Sequence, residues 1–231
     1  MAKLSDIIKP LDNTFNRDDD PLLKNNNSCI WIISGRRGAG KSTLLLSTLN
    51  SKLGYRKRFN HLYFVSPTAR SDAKFKKMVK ELTDSDKPQF YEQLDDNVME
   101  EILSNIKSDN KEDDKTLSCI ILDDCVLDIP KAKSSIFNKL IITSRHLRTT
   151  VIIISQKYNA LMPIIRANAD LISFFPSLNS REINTFRDDI NIDKDVFDAI
   201  YNYCSTSSTD FMHVNLLAMP PKFFNKFDPI G

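Results

Sequence analysis

Glycine is scarce in this sequence, five in 231 residues, so any cluster of glycines is a local feature and not a by-product of composition. Cysteine is sparse and unpatterned. Cys29, Cys119, Cys125 and Cys204 form no C-x-x-C pair, and with Cys29 and Cys119 in apolar strand-like runs they read as buried free thiols. The three histidines, His61, His146 and His213, are scattered without metal-ligand spacing. No apolar run reaches the ~18 residues that a membrane span requires, so no membrane insertion is expected. Residues 1–28 lack the basic, apolar, small-residue succession of a secretion signal, and the expectation is a protein that works inside a cell or a particle assembled there. Neither sign of charge dominates. A net charge of +2 excludes a histone-like saturation of phosphates but leaves room for a local basic surface. With 41% hydrophobic and 27% charged residues, the chain reads as one large globular domain.

Three of the five glycines fall within eight residues: Gly35, Arg36, Arg37, Gly38, Ala39, Gly40, Lys41, Ser42. The spacing is G-x-x-x-x-G-K-[ST], the P-loop. The apolar run before it, residues 29–34, suits a buried parallel strand, and residues 43–49 continue as a helix with Leu45, Leu46 and Leu49 on one face. Glycines let successive backbone N–H groups turn inward on phosphates, and the following helix adds the positive end of its dipole. The loop through Thr43 is therefore the candidate nucleotide site. Lys41 is expected to reach the β- and γ-phosphates of ATP, and Ser42 to help hold Mg²⁺.

The rest of the chain alternates strands and helices. Residues 1–27 form a polar arm with at most a short helix. After a basic turn with Arg56, Lys57 and Arg58, residues 61–67 read as a strand stopped by Pro67. A helix over 71–82 carries a basic face of Lys74, Lys76, Lys77 and Lys80, read as solvated surface. Another helix spans about 97–106, and residues 108–115 read as a charged loop. Residues 117–122 form an apolar strand that ends in Asp123 and Asp124. This is a Walker B pattern: Asp123 can hold Mg²⁺, and Asp124 can orient and deprotonate a water. A helix over 134–147 precedes the strand 150–156, which closes on Gln156. Asn159 is a candidate cap for a short helix holding Pro163, and a strand at 170–175 follows. Helices are expected from Ser180 to about 188 and over 194–203, then a strand at 211–217 and an aromatic tail, 218–231, with Phe223, Phe224 and Phe227. The fold class is α/β: a P-loop NTPase with a mostly parallel central sheet flanked by helices.

On residues 35–42, 63–67, 120–124 and 144–156 the chain resembles the viral genome-packaging ATPases of the FtsK/HerA superfamily, of the poxvirus type. The resemblance covers about residues 28–217. It implies the additional-strand arrangement of that class, in which the strand ending in Gln156 lies between the P-loop strand and the Walker B strand. It also implies that Gln156 senses the γ-phosphate, and that the protein is an ATP-hydrolysing, Mg²⁺-dependent and DNA-stimulated motor. Its expected partners are double-stranded DNA, held non-specifically through phosphates, other copies of itself in a ring of five or six, and capsid or vertex proteins. The place of action would be viral assembly sites in the host cytoplasm, with association to the virion as a further expectation. Many relatives carry Glu where this chain has Asp124, one methylene shorter. An arginine from a neighbouring subunit is expected to complete the site. Arg145 and Arg148 are the first candidates, with Arg166 and Arg181 behind them. For the DNA contact, Arg56 to Arg58 and Lys131 with Lys133 are candidates by charge. Two other readings stay open: a cellular translocase of the same superfamily, and a nucleotide-dependent assembly or scaffold protein.

Overall fold

The computed structural model describes residues 20–85, 89–125 and 135–230. In chain order the elements are β1 (Ile30–Ser34), α1 (Lys41–Asn50), β2 (His61–Val65), α2 (Lys76–Thr83), β3 (Phe90–Tyr91), α3 (Asp96–Glu112), β4 (Ser118–Asp123), α4 (Ser135–Thr143), β5 (Thr149–Ser155), α5 (Pro163–Ala167), β6 (Leu171–Phe174), α6 (Ser180–Ile190), α7 (Lys194–Tyr203), β7 (Met212–Asn215), β8 (Lys222–Asn225) and β9 (Asp228–Pro229). One sheet runs β3-β2-β4-β5-β1-β6-β7-β8-β9. The strands from β3 across to β6 pair in parallel, and β7, β8 and β9 add antiparallel ribbons at one edge.

Every residue of β1, β4 and β5 is buried, as expected of apolar, β-branched runs covered on both faces. The two-residue period divides them between two cores. Ile30, Ile32, Ile120, Leu122, Val151 and Ile153 face α3, α4, α6 and α7. Trp31, Ile33, Cys119, Ile121, Ile152 and Ile154 face α1 and α2. Because β1, β4 and β5 are neighbours and parallel, their C-terminal ends bring Gly35, Asp123 and Gln156 to one edge of the sheet. The order β4-β5-β1 is the arrangement the resemblance implied, with the Gln156 strand in the middle.

Several elements differ from the sequence reading. α3 continues to Glu112, so residues 108–112 are helical and not loop. The buried face runs Met99, Ile102, Leu103, Ile106 and then Asp109, and a polar residue in that stripe hides the last turn from an apolar periodicity. In α1 the buried face is Leu44, Leu45 and Thr48, with Leu46 and Leu49 half-buried at its margin. Asn159 lies in a 3₁₀ turn, Tyr158–Ala160, and does not cap α5, which starts at Pro163 behind Met162. Asn179 and not Ser180 caps α6, its side chain accepting from the Arg181 N–H at 3.0 Å. α2 begins at Lys76 and α4 ends at Thr143, both shorter than expected.

The described part of the N-terminal arm is stitched to the domain. Leu22 and Leu23 are buried, Tyr55 Oη donates to the Leu22 carbonyl at 2.5 Å, and the Arg58 guanidinium donates to the carbonyls of Lys24 and Asn26. Residues 222–229 extend the sheet as β8 and β9, burying Phe224 against β7, and Phe227 packs near Trp31 and His213. The four cysteines are free and buried. Among the described residues no helix is long and apolar enough to cross a membrane.

Candidate functional site

The loop after β1 is shaped by its glycines. The Gly35 N–H donates to the Ser155 carbonyl at 3.1 Å, tying the loop to the end of β5. A Cβ on Gly35 would stand 2.5 Å from Cβ of Phe175, so only glycine fits between the loop and β6. Gly38 (φ +80°) and Gly40 (φ +107°) lie in the left-handed region, and Gly40 caps α1. Lys41 follows at the first position of the helix and is buried. Its Nζ donates to the carbonyls of Gly35 (2.6 Å) and Arg36 (3.2 Å). Burial lowers the Lys41 pKa, and the charges of Asp124 and Asp123 oppose that shift.

Asp123 closes β4. It is 5% exposed, and its Oδ2 accepts from Ser66 Oγ at 2.8 Å. Burial pushes its carboxyl up to about 6. The Ser66 bond and Lys41 pull it down, and Asp124 and Asp72 push it further up. Asp124 follows with φ 51°, a left-handed conformation that Asp tolerates. Its N–H donates to the Ile154 carbonyl at 3.1 Å, and its Oδ2 accepts from Gln156 Nε2 at 2.7 Å.

These groups line one cleft of about 730 Å³. Arg37, Gly38, Lys41 and Ser42 come from the loop and the start of α1. Asp123 and Asp124 come from the end of β4, and Gln156 from the end of β5. Gly35, Arg36, Ala39, Gly40 and Thr43 shape the loop without lining the cleft: Ala39 is buried beneath it, and Arg36 and Thr43 are exposed beside it. The fourth wall was not read from sequence. Thr68, Ser71, Asp72, Ala73 and Lys74, from the segment after β2, face the P-loop, and Ser66 at the base of that segment holds Asp123. The available signal was positional. A segment leaving the C-terminal end of a parallel strand on the same half of the sheet as the Walker B strand, three places from the P-loop strand, lies over the ligand crevice of an open α/β sheet.

The oxygen donors suit Mg²⁺. Ser42 and Asp123 line the same cleft, and a carboxyl whose pKa is raised by burial is stabilised as the anion by a bound cation. Among the described residues no group of three or more His, Cys, Asp or Glu side chains could hold a metal alone. Two protein oxygens, from Ser42 and Asp123, leave most of an octahedral shell open, which fits an ion shared with phosphates.

The arginines separate. Arg145 and Arg148 lie at the other end of the sheet. The Arg148 carbonyl accepts from the Ser118 N–H where β4 and β5 begin, and Arg145 acts on Asp170 just ahead of β6. The seven residues of β5 put about 20 Å between that end and Gln156. Arg166 is engaged within its own chain. Its Nε donates to Asp189 Oδ2 at 2.8 Å and its Nη1 to the Leu161 carbonyl at 2.6 Å, with the guanidinium over the Tyr158 ring. Arg181 is exposed in the first turn of α6, on the edge where the strands end, close in sequence to Leu178, which is 95% exposed. Of the basic turn, Arg58 is committed to Lys24, Asn26 and the Tyr55 and Phe59 rings, whereas Arg56 and Lys57 are exposed. Lys131, Lys133 and residues 1–19 of the arm lie outside the described residues.

Comparison with known proteins agrees with this architecture. No curated protein sequence matches the chain. Among solved structures, the genome packaging NTPase B204 from Sulfolobus turreted icosahedral virus 2 in complex with ATP-gammaS superposes with a TM-score of 0.64 at 19% identity, covering 89% of this chain and 100% of that one. The same protein in complex with AMPPCP gives 0.62 at 19% identity with the same coverage. VirB4 of Thermoanaerobacter pseudethanolicus gives 0.54 at 10% identity, covering 80% of this chain and 86% of that one. These likenesses show a shared P-loop NTPase fold. Residues 13–209 match the family described as Poxvirus A32 protein, and the chain therefore belongs to that family.

Proposed function

We propose that the protein is a Mg²⁺-dependent, DNA-stimulated ATPase that drives double-stranded DNA into a viral capsid. The observation that carries this reading is the convergence of Lys41, Ser42, Asp123, Asp124 and Gln156 from adjacent parallel strands on one cleft. A scaffold that bound nucleotide without hydrolysing it would have no use for Asp124 and Gln156 beside Asp123. The family and the packaging NTPase with the same fold support the viral reading over a cellular translocase.

In the mechanism, the loop N–H groups and the α1 terminus receive the phosphates. Lys41 exchanges its bonds to the Gly35 and Arg36 carbonyls for phosphate oxygens. Ser42 and Asp123 would hold Mg²⁺, which neutralises charge on the β- and γ-phosphates. Asp124 takes the proton of the attacking water, and Gln156 positions Asp124 and senses the γ-phosphate. No arginine other than Arg37 lines the cleft among the described residues, so a neighbouring subunit supplies the finger in a ring of five or six. Duplex DNA is gripped through its phosphates, because a packaging motor must pass every sequence. Capsid or vertex proteins anchor the ring at assembly sites in the host cytoplasm, and association with the virion would follow from that anchorage.

The direct test is phosphate release with and without long duplex DNA, with Lys41→Ala as the blank. Stimulation by DNA of any sequence, lost in the blank, is the expected result. Nucleotide binding without turnover under both conditions would instead favour the scaffold reading.

A further inference from the structure

A second cleft, of about 530 Å³, opens between α3 and α4. Lys107 and Lys111 line it from α3 and Lys139 from α4, all three exposed. The hydroxyls of Ser104 and Ser108 lie between them, and one carboxylate, Glu100, lines it from the first half of α3. Several described basic side chains find acids, among them Lys24 with Asp20, Lys77 with Glu81, Arg166 with Asp189 and Lys226 with Asp210, while others such as Lys76 and Lys80 stand alone on the surface. Among the described residues none of the three groove lysines has such a partner.

Lys107 and Lys111 are a like-charge i,i+4 pair, which is unfavourable in an isolated helix, and Lys139 adds a third positive charge across the groove. A ligand with regularly spaced negative charge relieves all three. One turn of α3 separates Lys107 and Lys111 by ~6 Å along the helix axis. Two phosphate steps of one DNA strand advance ~6.8 Å along the duplex axis. Lysines and serines act as point donors here, with no arginine fork to read a base edge, which suits contact that ignores sequence. The walls are also the two helices that bracket the Walker B strand: α3 leads into β4, and α4 is the first described element after it. A load on this groove is thus one connection away from Asp123 and Asp124.

We propose that the groove of Lys107, Lys111 and Lys139 binds the phosphate backbone of duplex DNA. The proposal rests on the DNA-motor reading above. It replaces the basic turn, whose Arg58 is committed within the chain, as the principal contact.

The test compares a short mixed-sequence duplex binding to the native chain, to Lys107→Gln/Lys111→Gln/Lys139→Gln, and to Lys76→Gln/Lys77→Gln/Lys80→Gln. The last removes equal charge from α2. Affinity is measured between about 50 and 200 mM salt. Each lost phosphate contact lowers the slope of log affinity against log salt by ~0.9, so the groove variant should lose ~2.7. The α2 variant should keep its slope, and basal ATP hydrolysis without DNA should stay unchanged in both. Lys139→Gln alone, the mildest change, should lose ~0.9. An unchanged slope in the groove variant, or an equal fall in the α2 variant, overturns the groove while the motor reading stands. If the native chain neither binds duplex DNA nor is stimulated by it, the motor reading fails and the groove proposal with it.

Discussion

Gln156 donates its Nε2 hydrogen to Oδ2 of Asp124 across 2.7 Å, joining the residue after β5 to the residue after β4. The bond fixes one oxygen of the candidate base and leaves the other for a water. Asp124→Asn should lower turnover by ~10²–10⁴ while nucleotide affinity holds, because only proton transfer is lost. Gln156→Glu replaces the donor that holds Asp124 with a like charge, which repels it. It should therefore be more damaging than Gln156→Ala. Turnover at the native rate in Asp124→Asn would remove Asp124 as the base.

The arginines divide by what already holds them. Arg166→Ala should lower thermal stability, since it leaves Asp189 with only its Tyr158 Oη bond and frees the Leu161 carbonyl. Arg181→Ala, Arg145→Ala and Arg148→Ala should leave ATP binding intact, and the variant lacking the true finger should lose ~10³–10⁵ in rate. Arg181 shares the cleft edge of its own sheet. Arg145 and Arg148 can serve only a neighbour that docks against the opposite edge. Mixing the inactive variant with Lys41→Ala should restore some turnover, because each then supplies what the other lacks.

Ser66 acts through Asp123. Ser66→Ala removes the 2.8 Å bond to Oδ2, which favours the charged carboxylate. The variant should need several times more Mg²⁺ to reach full nucleotide affinity, read by titrating Mg²⁺ against a fluorescent ATP analogue, and Ser66→Thr should recover most of the loss. Equal Mg²⁺ dependence in native and Ala forms would contradict the assignment.

Acid should act on His213. Its Nε2–H donates to the Pro21 carbonyl at 2.6 Å, so Nδ1 accepts from Ser173 Oγ at 2.8 Å, and Ser173 Oγ accepts from Trp31 Nε1 at 3.0 Å. Burial holds the imidazole down at about 4, against an ordinary value of 6.5. The folded state thus takes up fewer protons than the unfolded chain between those values, and this group's contribution falls as pH drops from 6.5 to 4, by about 3 kcal/mol. Asp170, pushed up to about 6 by burial, works with the opposite sign over part of that range. His213→Gln should therefore be less stable at pH 7 yet lose less on acidification than the native chain. Parallel melting curves across that range would contradict the account.

The candidate site was legible because its signals are local. Gly35 to Ser42 carry their own spacing, and Asp123 and Gln156 stand at the ends of strands whose middles are wholly apolar. Ser66 and Asp72 were not legible, because their roles exist only once β2 lies beside β4. β8 and β9 are short, and their pairing with β7 is a tertiary fact that four-residue and two-residue stretches cannot announce. Asp109 concealed the end of α3 in the same way, as a polar side chain on a buried face.

The most direct test of the account is displacement of a third strand annealed to duplex DNA. If the cleft of Lys41, Asp123, Asp124 and Gln156 drives movement along DNA, ATP should strip the third strand whatever the flanking sequence, and Lys41→Ala should leave it in place. Sustained ATP hydrolysis on the same duplex with the third strand still bound would contradict it.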